Sequence, residues 1–315
     1  MRACVAAPVH VLAVAGLLAP CALPAAEEKS GLTEIVVTAR KRVENLQEVP
    51  DSITAFGAAQ IDERRLNRIG DAIALTPNVH MISDQDAATN IITVRGIGTN
   101  RNLASAVAFV VDGVVLPDSD AFTADLTDLE RIEILKGPQG ALYGRNAIAG
   151  VINLTTRRPT DELEGELKAG FSSGETADLF GAVSGPLVKG RLLGRLTARY
   201  FDSDGLLRNT FNGRNIDHDR NSKVTGRLIW NATDALTFDL RGSRYEQDSG
   251  ALYFSAFDVL GTTGGRITEE MARVGPNQNE PGFTDRTITD ASLVAEYAAP
   301  FGTFTSITAY DQVDI

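Results

Sequence analysis

The chain has 315 residues, of which 43% are hydrophobic and 23% are charged. This composition is too apolar for a wholly disordered protein and is typical of a folded one. Lys and Arg total 30 against 41 Asp and Glu, which gives a formal net charge of −11. An acidic balance of this size argues against a protein that binds the phosphate backbone of nucleic acids.

The segment 1–26 has the pattern of a secretory signal peptide. Arg2 provides a thin positive region, an apolar stretch follows it, and small residues precede the first acidic ones. Prolines and a histidine interrupt the stretch, so we interpret it as a cleaved signal and not as a membrane span. Acylation at Cys21 is an alternative, although Pro20 replaces the small residue expected before it. Cys4 and Cys21 leave with the signal, so the mature chain has no thiol to ligate a metal.

Residues 27–48 form a polar, charged segment that we expect to be mobile. It contains one short run, Thr33–Ala39, whose β-branched residues favour an extended backbone. A lone strand of this length does not stay folded in water. The run is suited to add to the open edge of a partner's sheet, where backbone hydrogen bonds supply affinity. The alternative is that it forms an ordinary first strand of the following domain.

Residues 49–160 alternate strand and helix patterns and predict a small mixed α/β domain. One helix is predicted over 58–75, because apolar residues recur there at helical spacing and Pro77 follows. Asp112–Gly113, between two β-branched pairs, predicts a hairpin turn within 106–116. The other predicted strands are Ser52–Phe56, Ile91–Arg95, Arg131–Leu135 and Gly150–Thr155.

The glycine-rich stretch Lys136–Arg145 is the one candidate for a phosphate-binding loop. It lacks both the GK[ST] ending of a P-loop and the GxGxxG register. Pro138 also removes a backbone donor where such a loop needs one. We therefore predict no nucleotide site, and the mature sequence suggests no catalytic residues, no metal site and no cofactor.

From residue 161 onward the sequence alternates apolar and polar residues in runs of about ten. One face of each run is apolar with aromatic residues toward its ends, and the other face carries charges. This pattern is typical of transmembrane β-barrel strands, and a soluble β-sandwich remains the alternative. The predicted strands are approximately 162–171, 176–185, 191–202, 220–232, 235–247, 289–299 and 303–313.

The lengths of the connections favour the barrel. The second, fourth and sixth strands end in short turns, whereas long polar segments follow the third and fifth strands. Short turns at one rim and long loops at the other are the asymmetry of outer-membrane barrels.

Several motifs together resemble the TonB-dependent outer-membrane receptors. They are TEIVVTARKR, VPDSITAF, LTPNV, TVRGIG, FVVDGV and, most specifically, LERIEILKGPQGALYGRNAIAGVINLTTRRP. The resemblance implies a signal peptide over 1–26, a mobile segment with a TonB box over 27–48, a plug domain over 49–160 and the first part of a β-barrel over 161–315. The implied fold class is an α+β plug followed by antiparallel transmembrane β-barrel strands, about seven of the 22 that the family has. Seven strands cannot close a barrel, because the open edges would leave backbone groups unpaired in lipid. We therefore expect the chain to be a fragment or a truncated product that is not competent for transport alone.

The resemblance also implies roles for particular residues. The TonB-binding segment comprises Thr33, Glu34, Ile35, Val36, Val37 and Thr38. Arg95 and Lys136 take the positions of plug cations that pair with barrel carboxylates, and Lys136 lacks the two-pronged geometry that arginine would bring. Gly96, Gly137, Gly144 and Gly150 are expected to be structural, with positive φ angles at turns.

The function implied is energised uptake of a scarce ligand, typically a ferric siderophore, across the outer membrane of a Gram-negative bacterium. The implied partners are TonB on the periplasmic side, outer-membrane lipid and the extracellular ligand, and neither a nucleic acid nor an enzymatic reaction is expected. The sequence identifies neither the ligand nor the residues that contact it. Two alternatives remain open, namely a secreted periplasmic enzyme with an α/β domain and a β-sandwich, and a stand-alone plug-like binding module.

Overall fold

The computed structural model describes residues 36–38, 44–45, 47–83, 90–98, 105–117, 126–144, 146–251, 279–280 and 282–315. All of them belong to one compact unit, Glu34–Ile315. The predicted signal peptide, residues 1–26, lies outside the described residues. Thr33, Glu34 and Ile35 of the predicted TonB-binding segment also lie outside them.

The first half of the chain forms short strands and helices. In chain order they are β1 (Val36–Val37), β2 (Glu44–Asn45), β3 (Ser52–Gly57), α1 (Ala58–Glu63), α2 (Ile69–Ala74), β4 (Val79–Ser83), β5 (Asn90–Val94), β6 (Ile97–Gly98), β7 (Val107–Val111), β8 (Val114–Val115), β9 (Leu129–Lys136), α3 (Gly140–Tyr143) and β10 (Gly150–Thr156). The second half contains longer strands. They are β11 (Glu164–Ser172), β12 (Thr176–Val188), β13 (Leu192–Ser203), β14 (Asp219–Thr233), β15 (Leu236–Ala251), β16 (Gly282–Ala299) and β17 (Gly302–Asp314).

A five-stranded sheet in the order β3-β9-β10-β7-β8 forms the centre of the α/β domain. Strands β7 and β10 pair in parallel, and the other neighbours are antiparallel. Strands β7 and β10 consist mostly of buried apolar residues because both of their faces are covered, whereas β9 also carries Glu130, Arg131 and Glu133. One face packs with α1 and α2 in a core that includes Ile69, Phe109, Ile132, Ile134 and Ile152. The other face holds a smaller cluster, Ala108, Val110, Leu135, Tyr143, Ala147 and Val151.

The prediction of one helix over 58–75 is wrong, because two short helices occupy that range. Arg65 has a φ angle of 51°, which ends the helical path after α1. The Asp71 carboxylate then accepts the N–H groups of Asn67 and Arg68 at 3.1 and 2.9 Å, which caps the start of α2. Among the described residues, no helix is long and apolar enough to cross a membrane.

The seven-stranded sheet runs in chain order from β11 to β17, with every neighbouring pair antiparallel. All seven predicted strands are confirmed, but β16 begins at Gly282 and not near residue 289. The sequence places the start of this strand too far along the chain because Asp285 lies on the exposed side of the sheet, and a charged residue there breaks the apolar alternation. The connections 204–218 and 252–281 are long, whereas those at the opposite rim are short, so the predicted asymmetry is confirmed.

The two faces of this sheet differ in chemistry, as the alternation predicts. Large apolar side chains are exposed on the outer face, including Leu196, Tyr200, Val224, Leu228, Trp230, Leu240 and Leu293. The inner face carries buried polar and charged side chains, including Arg195, Thr197, Arg199, Arg227, Arg241 and Ser243. Since the inner face packs against the α/β domain, that domain covers the charged surface and the apolar surface faces outward.

Candidate functional site

A row of three arginines crosses the inner face of the sheet. Arg195 lies directly opposite Arg227 in the register of β13 and β14, and Arg227 lies opposite Arg241 in β14 and β15. All three are buried, with at most 9% of each residue exposed. Like charges directly opposite each other destabilise a sheet, so this row needs carboxylates close by.

Asp112, in the turn between β7 and β8, supplies one of these carboxylates from the α/β domain. Its oxygens accept the backbone N–H and the hydroxyl of Thr156 at 2.9 and 2.7 Å. The same carboxylate lies 3.6 Å from Arg227 Nη1 and 3.4 Å from Arg241 Nε. The hairpin turn is therefore fixed both to β10 of its own domain and to two strands of the sheet.

The sheet contributes carboxylates of its own to the same cluster. Asp239 accepts from Arg227 Nε and Nη2 at 2.9 and 2.8 Å, a bidentate pair, and Asp290 pairs with Arg241. Arg227 also donates to the Thr156 hydroxyl at 2.8 Å. Arg227 and Arg241 are thus shared between their own sheet and the α/β domain.

Asp128 forms the second attachment, at the arginine that Asp112 does not contact. Its carboxylate accepts from Arg195 Nε at 2.9 Å and also pairs with Arg195 Nη2. The three arginines of the row therefore meet two carboxylates from the α/β domain.

A third attachment joins α1 to the first strand of the sheet. Asp62 pairs with Arg157 Nη2 at 2.7 Å and with Lys168 Nζ at 2.9 Å. Burial raises the pKa of the Asp62 carboxyl, but the hydrogen bonds and charges of the two cations outweigh it and hold this pKa below its ordinary value. A cavity of about 410 Å³, lined by both polar and apolar residues, lies here between α1 and strands β11 to β13. This part of the contact is therefore polar and incompletely packed.

The described end of the predicted TonB-binding segment is docked on the α/β domain. Val36 and Val37 pair with Asn45 and Glu44 as a short antiparallel ladder, and only 1% of Val37 is exposed. The Thr38 N–H donates to Glu133 Oε1 at 2.7 Å. Burial, followed by the charge of this Glu133 carboxylate, raises the pKa of Tyr143 to about 12.

The predicted cations lie close to each other on the α/β domain. A Cβ added to Gly137 would be 3.6 Å from Arg95 Nη1, and Lys136 Nζ donates to Thr54 Oγ1 at 3.1 Å. Burial, followed by the charge of Arg95, lowers the pKa of Lys136. Within the described part of the chain, neither cation forms an ion pair with a carboxylate, and their pairing with the barrel stays a prediction.

Three of the four predicted glycines have the expected backbone conformation. The φ angles of Gly96, Gly137 and Gly144 are 81°, 125° and 83°. Positive φ is the wrong reason for Gly150, which is not among the positive-φ residues. There a Cβ would lie 2.3 Å from the Leu135 carbonyl oxygen, so the position needs glycine for the close approach of two strands.

Comparison with known proteins agrees with this architecture. Residues 45–151 match the model of the TonB-dependent Receptor Plug Domain. The pesticin receptor of Yersinia pestis is 29% identical over 206 residues, which cover 65% of this chain and 30% of that protein. The vitamin B12 transporter BtuB of Photobacterium profundum is 28% identical over 243 residues, covering 76% of this chain and 40% of that protein. Residues 45–151 of this chain therefore belong to the family of TonB-dependent receptor plug domains.

A solved structure shares the fold of this chain beyond the plug domain. The ferric yersiniabactin uptake receptor of Yersinia pestis superposes with a TM-score of 0.72 at 23% identity, over 84% of this chain and 41% of that one. The chain thus spans less than half the length of these relatives, which are receptors and transporters.

We call β3–β10 with α1–α3 the plug, and β11–β17 the barrel strands. The protein is an outer-membrane protein of a Gram-negative bacterium.

Sequence reasoning missed the residues that attach the plug to the barrel strands. From the sequence, Asp112 is predicted only as a turn former, and Asp128 is not singled out. Glu133 did leave a signal, because a carboxylate between Ile132 and Ile134 in a strand covered on both faces must be buried and needs partners.

Proposed function

We propose that this chain forms the plug and the first barrel strands of a receptor for the energised uptake of a ferric siderophore. In this proposal the ligand binds from the outside, TonB captures residues 33–38 in the periplasm, and force applied there displaces or remodels the plug. The domain boundaries at residues 26, 48 and 160 belong to the same proposal.

The observation that carries the proposal is the way in which the plug covers the inner face of the barrel strands. Its attachments through Asp112, Asp128 and Asp62 are polar and involve few residues. An attachment through ion pairs beside a cavity separates more easily than a continuous apolar core, whose separation exposes apolar surface to water. This is the property that a removable plug requires.

The choice of ligand rests on the relatives. The solved structure cited above is of a ferric yersiniabactin receptor, which supports an iron chelate, while the vitamin B12 transporter supports a corrinoid. We favour the iron chelate because further solved structures that share the fold, among them the ferripyoverdine receptor of Pseudomonas aeruginosa, are receptors for iron chelates.

Replacing Thr33–Thr38 by six glycine and serine residues tests the proposal in the full-length receptor. Uptake of radio-iron siderophores should fall to the level of cells without TonB, while ligand binding to the same cells is unchanged. An equal replacement of residues 27–32 is the matched control and should leave uptake intact. Unchanged uptake after the first replacement contradicts the role of residues 33–38, and uptake of labelled vitamin B12 in place of iron contradicts the choice of ligand.

A further inference from the structure

A buried carboxylate holds the described end of the TonB-binding segment. Glu133 is fully buried on β9, and its Oε1 accepts the backbone N–H of Thr38 at 2.7 Å. Asn153 Nδ2 donates to its other oxygen at 2.7 Å. Arg131 Nε lies 2.7 Å from Oε1 as an ion pair without hydrogen-bond geometry. The carboxylate therefore depends on the docked segment for one of its few close donors.

The docked segment depends in turn on this cluster. Arg131 Nη2 donates to the Thr38 hydroxyl at 3.1 Å, so both the backbone and the side chain of Thr38 are held. The neighbouring Val37 side chain is buried, and its backbone pairs with Glu44 of β2. A partner that draws this segment out must expose Val37, separate β1 from β2 and leave the Glu133 carboxylate without the Thr38 N–H.

We propose that Glu133, with Arg131 and Asn153, is a latch that sets how often the TonB-binding segment is free to be captured. Docking on the plug and capture by TonB exclude each other at Val37 and Thr38, because both use the same side chain and backbone groups. The observed affinity for TonB is then the affinity of the free segment reduced by the fraction that is undocked. This inference rests on the proposed role of residues 33–38.

The strength of the latch follows from its chemistry. Hydrogen bonds to a charged group contribute more than neutral ones, and a buried charge that loses a donor is costly. Removing the charge in Glu133→Gln weakens the hold on Thr38 while keeping the side-chain shape. We expect the undocked fraction to rise by about tenfold, the change that 1.4 kcal/mol produces.

A cysteine at position 37 measures docking directly in the full-length receptor. Residues 27–315 contain no cysteine, so Val37→Cys is the only thiol in this part of the chain. Its rate of reaction with a maleimide reports exposure of the segment whether or not TonB is present. Glu133→Gln should raise this rate by about tenfold. The matched control is Glu130→Gln on the same strand, whose carboxylate is half exposed and lies 3.8 Å from Arg131, and it should leave the rate unchanged.

A second thiol distinguishes release of the segment from loosening of the plug. Ala147 is fully buried in the smaller plug core, so Ala147→Cys reacts only if that core opens. The labelling rate of Ala147→Cys should be the same whether position 133 is Glu or Gln. Equal labelling of position 37 in both backgrounds would overturn the latch, and so would a parallel rise at position 147.

Titration with the purified periplasmic domain of TonB, using receptors without the added cysteines, completes the test. Glu133→Gln should bind this domain about tenfold more tightly than the wild type, and Glu130→Gln should not. Faster labelling with unchanged TonB affinity would overturn the latch as a control of capture. No binding by any variant would instead contradict the proposed function, while the labelling result still decides whether the segment is latched.

Discussion

At the scale of single residues, this chain uses buried carboxylates and one glycine to fix the relative positions of backbone segments. Asp112 joins a plug hairpin to two barrel strands, and Glu133 on β9 holds the proposed TonB-binding segment at Thr38. Gly150 acts without a side chain, because β10 begins where the Leu135 carbonyl oxygen comes very close.

Gly150→Ala is expected to destabilise the plug by about 1–3 kcal/mol, as the added methyl group must push β9 and β10 apart. Gly140→Ala is the control, since a Cβ at this helical position meets nothing within 4 Å. Urea titration of the full-length receptor, followed by protease sensitivity of the plug, measures both. Equal midpoints for the two variants would show that β10 tolerates the methyl group.

At the scale of elements, the strands were more predictable than the breaks between helices. Alternation over ten or more residues identifies β11 to β17 because one face meets an apolar medium and the other a charged interior. The break between α1 and α2 was missed because the apolar spacing of Leu66, Ile69 and Ile73 continues across it. The polar cap supplied by Asp71 interrupts the helix without changing that spacing.

The parts of the candidate site also differ in how well the sequence predicts them. The TonB-binding segment could be predicted because its motif is contiguous in the sequence, and it stays a prediction. The arginine row was not, because Arg195, Arg227 and Arg241 come together only when three strands pair in register. Their plug partners lie still farther away along the chain, and no periodicity reports such contacts.

The arginine row leads to a prediction for the contact between plug and barrel strands. Asp112→Asn leaves Arg227 and Arg241 buried with one carboxylate fewer, so the plug should be held less tightly by about 2–5 kcal/mol. The measurement is the urea concentration at which the plug of the full-length receptor becomes sensitive to protease.

Asp161→Asn removes an exposed carboxylate beyond the plug and serves as the control. It should leave that urea concentration unchanged. If Asp112→Asn behaved like Asp161→Asn, the Asp112 contacts would contribute nothing to plug retention.

At the scale of the whole molecule, one sheet separates two environments. Its charged inner face is covered by the plug, and its outer face exposes large apolar side chains suited to acyl chains. No polar side chain of the plug is required on that outer face. Substitutions on the outer face and substitutions at the contact with the plug can therefore be made independently.

Leu228→Arg places a charge on the outer face of β14 and should destabilise the folded barrel by about 2–4 kcal/mol if the residue lies near the bilayer centre. Leu206→Arg, in the loop before β14 and 69% exposed, should have no effect. The folded fraction of the full-length receptor in lipid vesicles, read from its heat-modifiable gel mobility, compares them. A tolerated Leu228→Arg would place this face in water.

The only tryptophan of this chain is Trp230, which stacks on Phe238 at a centroid distance of 5.5 Å on the outer face of the barrel strands. Indole emission from these 315 residues therefore originates at the hydrocarbon side and not in the plug. Brominated lipids quench the indoles that they touch, so they can follow the bilayer insertion of β14 and β15. Excitation at the red edge of the absorption band selects tryptophan, so the plug, which has none, does not contribute to the emission. A dye on a cysteine introduced into the plug would report plug movement separately from insertion, because residues 27–315 contain no other cysteine.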